Sequence, residues 1–148
     1  MLRGRFGNTS GRPYLEGRFI IPRLNIQSDI SFLVDTGADS TVLLVDDARR
    51  IGIDYKKLKL SNRQSVGIGG TTRHFKERAF VTFSEPGRFL YVYEIDLAIT
   101  RPNPKLKKVP SLLGRNVIDN WRMTYNPEKE KLWFKVWHAD YTIPIPKS

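Results

Sequence analysis

One acid in this sequence stands where an acid is hard to place. Asp35 follows the apolar run Ile30 to Val34 and precedes Thr36-Gly37-Ala38-Asp39-Ser40, after which the chain returns to apolar residues at Thr41-Val42-Leu43-Leu44. The first run is short and rich in large apolar residues, the pattern of a strand. A strand that ends in Asp35-Thr36-Gly37 delivers a carboxylate at its tip. Thr36 adds a hydroxyl, and Gly37 permits a tight backbone and close approach by another chain. Asp and Gly both favour turns, so a plain surface turn is the simpler reading of these three residues. The apolar frame on both sides weighs against it, because a turn so framed is partly buried and a buried acid needs a reason.

Two further stretches carry information. Ser65-Val66-Gly67-Ile68-Gly69-Gly70-Thr71-Thr72 places three glycines in four positions between strand-like flanks, which predicts a flexible hairpin tip. It is not a phosphate-cradling loop, since no Gly-Lys-Ser/Thr follows, and no helical pattern opens after it as a dinucleotide site requires. In Pro110-Ser111-Leu112-Leu113-Gly114-Arg115-Asn116 two apolar residues again end at a turn, so Leu112-Leu113-Gly114 mirrors Leu33-Val34-Asp35.

Phe32 to Leu43, the glycine-rich hairpin and Leu112 to Asn116, in that order, resemble the retropepsin-like aspartic proteases, the single-domain relatives of pepsin. The resemblance runs over roughly Tyr14 to Phe134. It implies an all-β, single-lobe closed barrel or sandwich with a Gly-rich flap hairpin and one or two short helices. It also implies a homodimer in which each chain gives one Asp to a shared site, acting as an endopeptidase on extended polypeptide without a cofactor. Asp35, Thr36 and Gly37 then take the catalytic positions, with the two Thr36 hydroxyls bonded across the two-fold axis. Ala38, Asp39 and the flap residues Gly67, Ile68, Gly69 and Gly70 bind substrate, while Leu113, Gly114 and Arg115 give structural support. Arg115 would pair with Asp39, a geometry suited to guanidinium and carboxylate. Two facing carboxylates cannot both ionise cheaply, so they share a proton; one acts as base on a water while the other donates to the carbonyl. The competing reading is a catalytically silent dimeric module of the same fold that binds protein or nucleic acid, and fold alone does not decide between them. An intact Asp35-Thr36-Gly37 and a glycine-rich flap favour the enzyme.

The whole chain sets bounds. Its 148 residues suffice for one domain with a real core. A two-lobed enzyme of the pepsin type would need about twice that length. Cysteine is absent, which removes disulfides and a thiol nucleophile. No apolar run approaches a membrane span and no leader-like segment opens the chain, so the expectation is a soluble, cytoplasmic protein without membrane contact. His74 and His138 lack metal-ligand spacing, and no metal is expected. Lys and Arg outnumber Asp and Glu by 25 to 15, a net charge of +10. The cations are scattered in small clusters (Arg49-Arg50, Lys56-Lys57-Lys59, Lys105-Lys107-Lys108), which reads as a solvated surface before a nucleic-acid site.

The supporting elements follow. Residues 1–12 read as a flexible basic arm, 13–138 as the domain and 139–148 as an extended tail. Tyr14 to Asn25 reads as a strand bending at Pro22, with Gln27-Ser28-Asp29 as the turn into the Asp35 strand. Val45 to Ile51 has a helical pattern, with Asp46 and Asp47 as dipole partners in its first turn and Gly52 as its stop. Tyr55 to Ser61 reads as polar surface. Ala79, Val81 and Phe83 alternate, as do Phe89, Tyr91, Tyr93, Ile95, Leu97 and Ile99 beyond a turn at Glu85-Pro86-Gly87. Arg101 to Val109 reads as a loop and Asn116 to Asn120 as a short helix. Strands at Trp121–Tyr125 and Lys131–Trp137 flank a turn at Asn126-Pro127-Glu128.

Overall fold

The computed structural model describes residues 1–58, 60–67 and 70–147, without the side chains of residues 60–67 and 70–73. In chain order its elements are β1 (Leu2–Arg3), β2 (Arg5–Phe6), β3 (Pro13–Ile21), β4 (Ile26–Val34), β5 (Val42–Leu43), α1 (Val45–Ile51), β6 (Leu60–Gly67), β7 (Gly70–Glu85) and β8 (Phe89–Thr100). They continue as β9 (Leu112–Leu113), α2 (Arg115–Ile118), β10 (Trp121–Asn126), β11 (Lys131–Val136) and β12 (Tyr141–Pro144).

Six strands close a barrel in the order β3-β4-β9-β5-β8-β7, with β7 pairing back onto β3. Closure leaves those strands few bare edges. β6 extends the sheet beyond β7, β12 caps the first residues of β8, and β1, β11 and β10 form a separate three-stranded sheet. Period-2 burial explains the barrel. Phe19 and Ile21 of β3, Ile30 and Phe32 of β4, Ala79, Val81 and Phe83 of β7, and Leu97 and Ile99 of β8 are all buried. Phe19 meets Phe32 edge-on at 5.0 Å, and Phe83 meets Trp121 at 4.9 Å. Trp121 in turn lies 5.1 Å from Phe134, so one aromatic chain joins the barrel to the three-stranded sheet. Tyr93 sits inside this joint, 2% exposed. Its hydroxyl accepts from Trp121 Nε1 at 2.7 Å and donates to the His138 carbonyl at 2.8 Å.

Several sequence-based expectations need correction. The turn between β3 and β4 is Pro22–Leu24 with Asn25 in the left-handed region (φ 53°), and Gln27-Ser28-Asp29 lie within β4, paired to Ile20, Phe19 and Arg18. Proline ended the ladder and asparagine tolerated positive φ, whereas the short polar residues line the less buried end of β4. Residues 1–12 are not a free arm. Leu2 pairs with Phe134 and is buried, and Arg5–Phe6 pairs with Tyr14 and Pro13. Two-residue strands carry no periodicity, so composition alone reads them as loose. The 101–109 loop contains a 3-10 turn at Pro104–Leu106, with Leu106 buried against Leu44 and Val45. The helix expected over Asn116–Asn120 occupies Arg115–Ile118. Leu60 and Ser61 belong to β6, and Lys59 lies outside the described residues. The extended 139–148 segment contains β12, paired with Phe89–Val92. Among the described residues no helix is long and apolar enough to cross a membrane.

Burial pushes the Tyr93 hydroxyl up to about 12 from its ordinary value near 10, while the Trp121 hydrogen bond pulls the other way. The folded chain therefore holds this proton more tightly than the unfolded chain. The resulting stability is fully present below about pH 10 and is lost as pH rises towards 12, at most about 2–3 kcal/mol. Thermal melting should fall across that window, and Tyr93→Phe should melt lower at neutral pH but with a flatter profile from pH 10 to 12.

Candidate active site

The site begins where β4 ends. Its last residues, Leu33 and Val34, run parallel to Leu112 and Leu113 of β9, so the two mirrored sequence motifs lie side by side. Asp35 N–H donates to the Leu113 carbonyl at 3.0 Å, which fixes the backbone that carries the acid. The chain then turns. Ala38 N–H donates to the Asp35 carbonyl at 3.2 Å, and Gly37 N–H donates to Asp35 Oδ1 at 2.9 Å. That last bond orients the carboxylate and leaves Oδ2 to other partners. Gly37 is tied to this geometry, because a Cβ there would stand 3.2 Å from Asp35 Oδ1. Asp35 is half-buried, whereas Thr36 and Gly37 are exposed at the tip of the turn.

A second turn locks into the first. Arg115 N–H donates to the Ala38 carbonyl at 2.8 Å and Asn116 N–H to the Asp39 carbonyl at 3.2 Å. Asn116 Oδ1 accepts from both the amide (3.0 Å) and the hydroxyl (2.8 Å) of Thr41, and the same hydroxyl accepts from Gly114 N–H at 3.1 Å. Thr41 is fully buried, so this network satisfies groups that water cannot reach. Gly114 packs directly on the other turn: a Cβ there would lie 2.4 Å from both the carbon and the oxygen of the Ser40 carbonyl. Behind it, buried Ser111 accepts from Leu44 N–H through its hydroxyl at 3.0 Å and donates to Asp47 Oδ2 at 2.7 Å.

The structure thus brings Asp35, Thr36, Gly37, Ala38 and Asp39 into one turn and sets Leu113, Gly114 and Arg115 against it. The Arg115 guanidinium donates to the Asp39 carboxylate. The pair is exposed, with 49% of the arginine and 82% of the aspartate side chain accessible in this chain. Asp46 and Asp47 do more than complement a helix dipole, since Asp46 accepts from Lys108 N–H at 2.8 Å and so anchors the 101–109 loop. Gly67 and Gly70 face each other as the last paired residues of the β6–β7 hairpin, and Ile68 and Gly69 lie outside the described residues. Sequence reasoning missed Thr41, Ser111 and the side chain of Asn116 as ties. A usable signal was present: each is a hydroxyl or amide residue close to one of the mirrored apolar pairs or to the turn that follows it.

No cluster of His, Cys, Asp or Glu suited to a metal occurs among the described residues. Two cavities stand apart from the acid. One of about 950 Å³ is lined by Leu15, Gly17, Arg18, Thr82, Glu85 and Arg88 among others, and one of about 430 Å³ by Arg5, Tyr14, Ser31, Asp47 and Lys108 among others. Asp35 lines neither.

The aspartyl protease family model matches residues 22–117, which takes in the Asp35 turn, the hairpin and the Gly114 turn. The chain belongs to that family. Its fold is similar to that of a retropepsin-like aspartic protease from Rickettsia conorii, with a TM-score of 0.62 at 20% identity over 98% of this chain and 92% of that one. EIAV protease in complex with the inhibitor HBY-793 aligns with 76% of this chain and 90% of that one, at 18% identity and a TM-score of 0.49. No curated protein matches it. The fold is therefore retropepsin-like, and of the expected all-β barrel or sandwich with one or two short helices the chain forms a closed six-strand barrel with two helices.

Two variants separate the packing tie from the charged one. Gly114→Ala drives a methyl into the Ser40 carbonyl, where backbone must move, and should cost about 2–3 kcal/mol or more, lowering the melting temperature by several degrees. Arg115→Ala removes only an exposed ion pair and should stay within about 1 kcal/mol of wild type. Thermal melting of the two proteins side by side checks both.

Proposed function

We propose that the protein is an aspartic endopeptidase whose active unit is a homodimer, with Asp35 of each chain facing its counterpart across a two-fold axis. The observation that carries this reading is a half-buried carboxylate held by Gly37 N–H beside an exposed turn tip. The chain has one Asp-Thr-Gly, so a dyad takes two chains. Two close carboxylates share one proton because ionising both is costly. The ionised member takes a proton from a water, and the resulting nucleophile attacks the peptide carbonyl. The protonated member donates to the carbonyl oxygen as the tetrahedral intermediate forms. The carboxyl that took the water's proton passes it to the leaving nitrogen while the other carboxylate takes a proton back from a hydroxyl of the intermediate, so the C–N bond breaks and the dyad again holds one shared proton.

The remaining residues take supporting roles in this reading. Exposed Thr36 hydroxyls bond each other across the axis and keep the two turns rigid. Ala38 and Asp39 line the substrate on one side, and the hairpin carrying Gly67, Ile68, Gly69 and Gly70 covers it from the other. Glycines suit a lid that must move and lay backbone on an extended polypeptide. Leu113, Gly114 and Arg115 hold the Asp35 turn in place.

Asp35→Asn keeps the side chain's size and removes its proton chemistry. It should retain the fold and the dimer, gain slightly in stability, and lose at least about 10²–10⁴-fold in cleavage of an extended peptide. Cleavage at the wild-type rate by the Asp35→Asn variant would overturn the assignment. Sedimentation run at the assay concentration should show a dimer, and an active monomer would sink the shared-site mechanism.

A further inference from the structure

We infer that the outer face of the β1–β11–β10 sheet is a binding surface for single-stranded nucleic acid, separate from the protease site. In this sheet Leu2, Leu132 and Phe134 point into the core, so the alternate positions share the opposite face. Those positions are Arg3 on β1, Arg122, Thr124 and Asn126 on β10, and Lys131, Trp133 and Lys135 on β11. Four cations and one tryptophan therefore occupy a face whose strands carry no acid. The nearest acids in sequence are Asp119, two residues before β10, and Glu128 and Glu130 in the turn beyond Asn126.

Two observations indicate that this charge is not there for folding. Among the described residues, none of the four cations has a carboxylate partner, a lack they share with Arg12, Arg49, Arg101 and the other lysines but not with Arg5, Arg18, Arg23, Arg50, Arg78, Arg88 and Arg115. Arg122 and Lys135 are direct cross-strand partners, an arrangement in which like charges weaken a sheet. A polyanion on the surface would turn that repulsion into attraction.

Trp133 narrows the class of partner. Arg3 Cζ lies over its ring at 5.7 Å from the centre and Lys131 Nζ at 4.9 Å, so two phosphate-seeking groups gather at one aromatic residue, whose ring a base would reach as these long side chains swing onto its phosphates. Sheets that bind single strands combine these features: aromatic rings for unpaired bases and cations for the backbone. A duplex offers no unstacked base for the ring. An anionic membrane would favour several protruding apolar side chains, and this face has one half-buried ring.

The test is fluorescence anisotropy of labelled oligothymidylate and oligouridylate with the full chain, between about 50 and 200 mM salt. Wild type should bind, with affinity falling as salt rises. Arg122→Gln with Lys135→Gln should lower the slope of log affinity against log salt by about 1.4, two contacts at about 0.7 each for a single strand. Trp133→Ala should weaken binding about tenfold while Trp133→Phe retains most of it. Lys107→Gln with Lys108→Gln, on a different basic cluster, should leave binding unchanged. Thermal melting checks the fold of each variant, and Lys135→Glu, which should also weaken binding, serves if Trp133→Ala melts early. No binding at low salt, equal loss in the Lys107/Lys108 variant, equal affinity for a duplex, or capture by phosphatidylserine vesicles in place of oligonucleotide would each overturn the inference.

Discussion

There is no room for a single carbon between Gly114 and the Ser40 carbonyl, and the rest of the site depends on that contact. Two turns some 75 residues apart in the chain are pressed together at 114 and 40–41, and Thr41 is bonded to Asn116 through both its amide and its hydroxyl. The apposition lets Asp35 N–H reach the Leu113 carbonyl and Arg115 N–H reach the Ala38 carbonyl. These bonds hold Asp35 by main chain, which has few soft torsions, and not by a flexible side chain. The guanidinium on Asp39 is the more visible contact, but water screens it. The buried amide and hydroxyl bonds do more of the holding.

The barrel supplies the rigidity behind this knot. β4 and β9 lie parallel, and β5 lies antiparallel to β9, so the two turns leave adjacent strands of one closed sheet. Phe19, Phe32 and Phe83 fill the space beneath them, and Trp121 and Phe134 extend the same core into the terminal sheet. That terminal sheet has two faces with opposite tasks. One is sealed into the core through Leu2, Leu132 and Phe134; the other carries the cations around Trp133. The inner face tethers the start of the chain, and this tether delivers Arg3 to a tryptophan near the other end of the sequence.

An exposed turn beside Asp35 and a closed barrel behind it suit a protein that completes its chemistry by association.

Much of this was legible in the sequence. The acid between apolar runs, the Gly-rich hairpin and the repeated apolar-apolar-turn motif identified the fold and the turn that matters, because each is a local pattern with a local cause. Helix α1 fell where its acids, its bases and Gly52 placed it. Polar residues misled where context overrode propensity: Gln27-Ser28-Asp29 read as a turn yet pair in β4, since Pro22 and Asn25 had already supplied the turn. The sequence also determined that the cations outnumber the acids, but not where they meet. Arg3, Arg122, Lys131 and Lys135 become one face only when β1 adds to β11 and β11 pairs with β10. Likewise Thr41, Ser111 and Asn116 are ordinary polar residues until two distant turns bury them against each other. Short-range pattern sets which residues form strands and turns; barrel closure decides which of those turns touch, and the pairing of β1, β11 and β10 decides which charges share a face, because only long-range pairing brings distant positions into register.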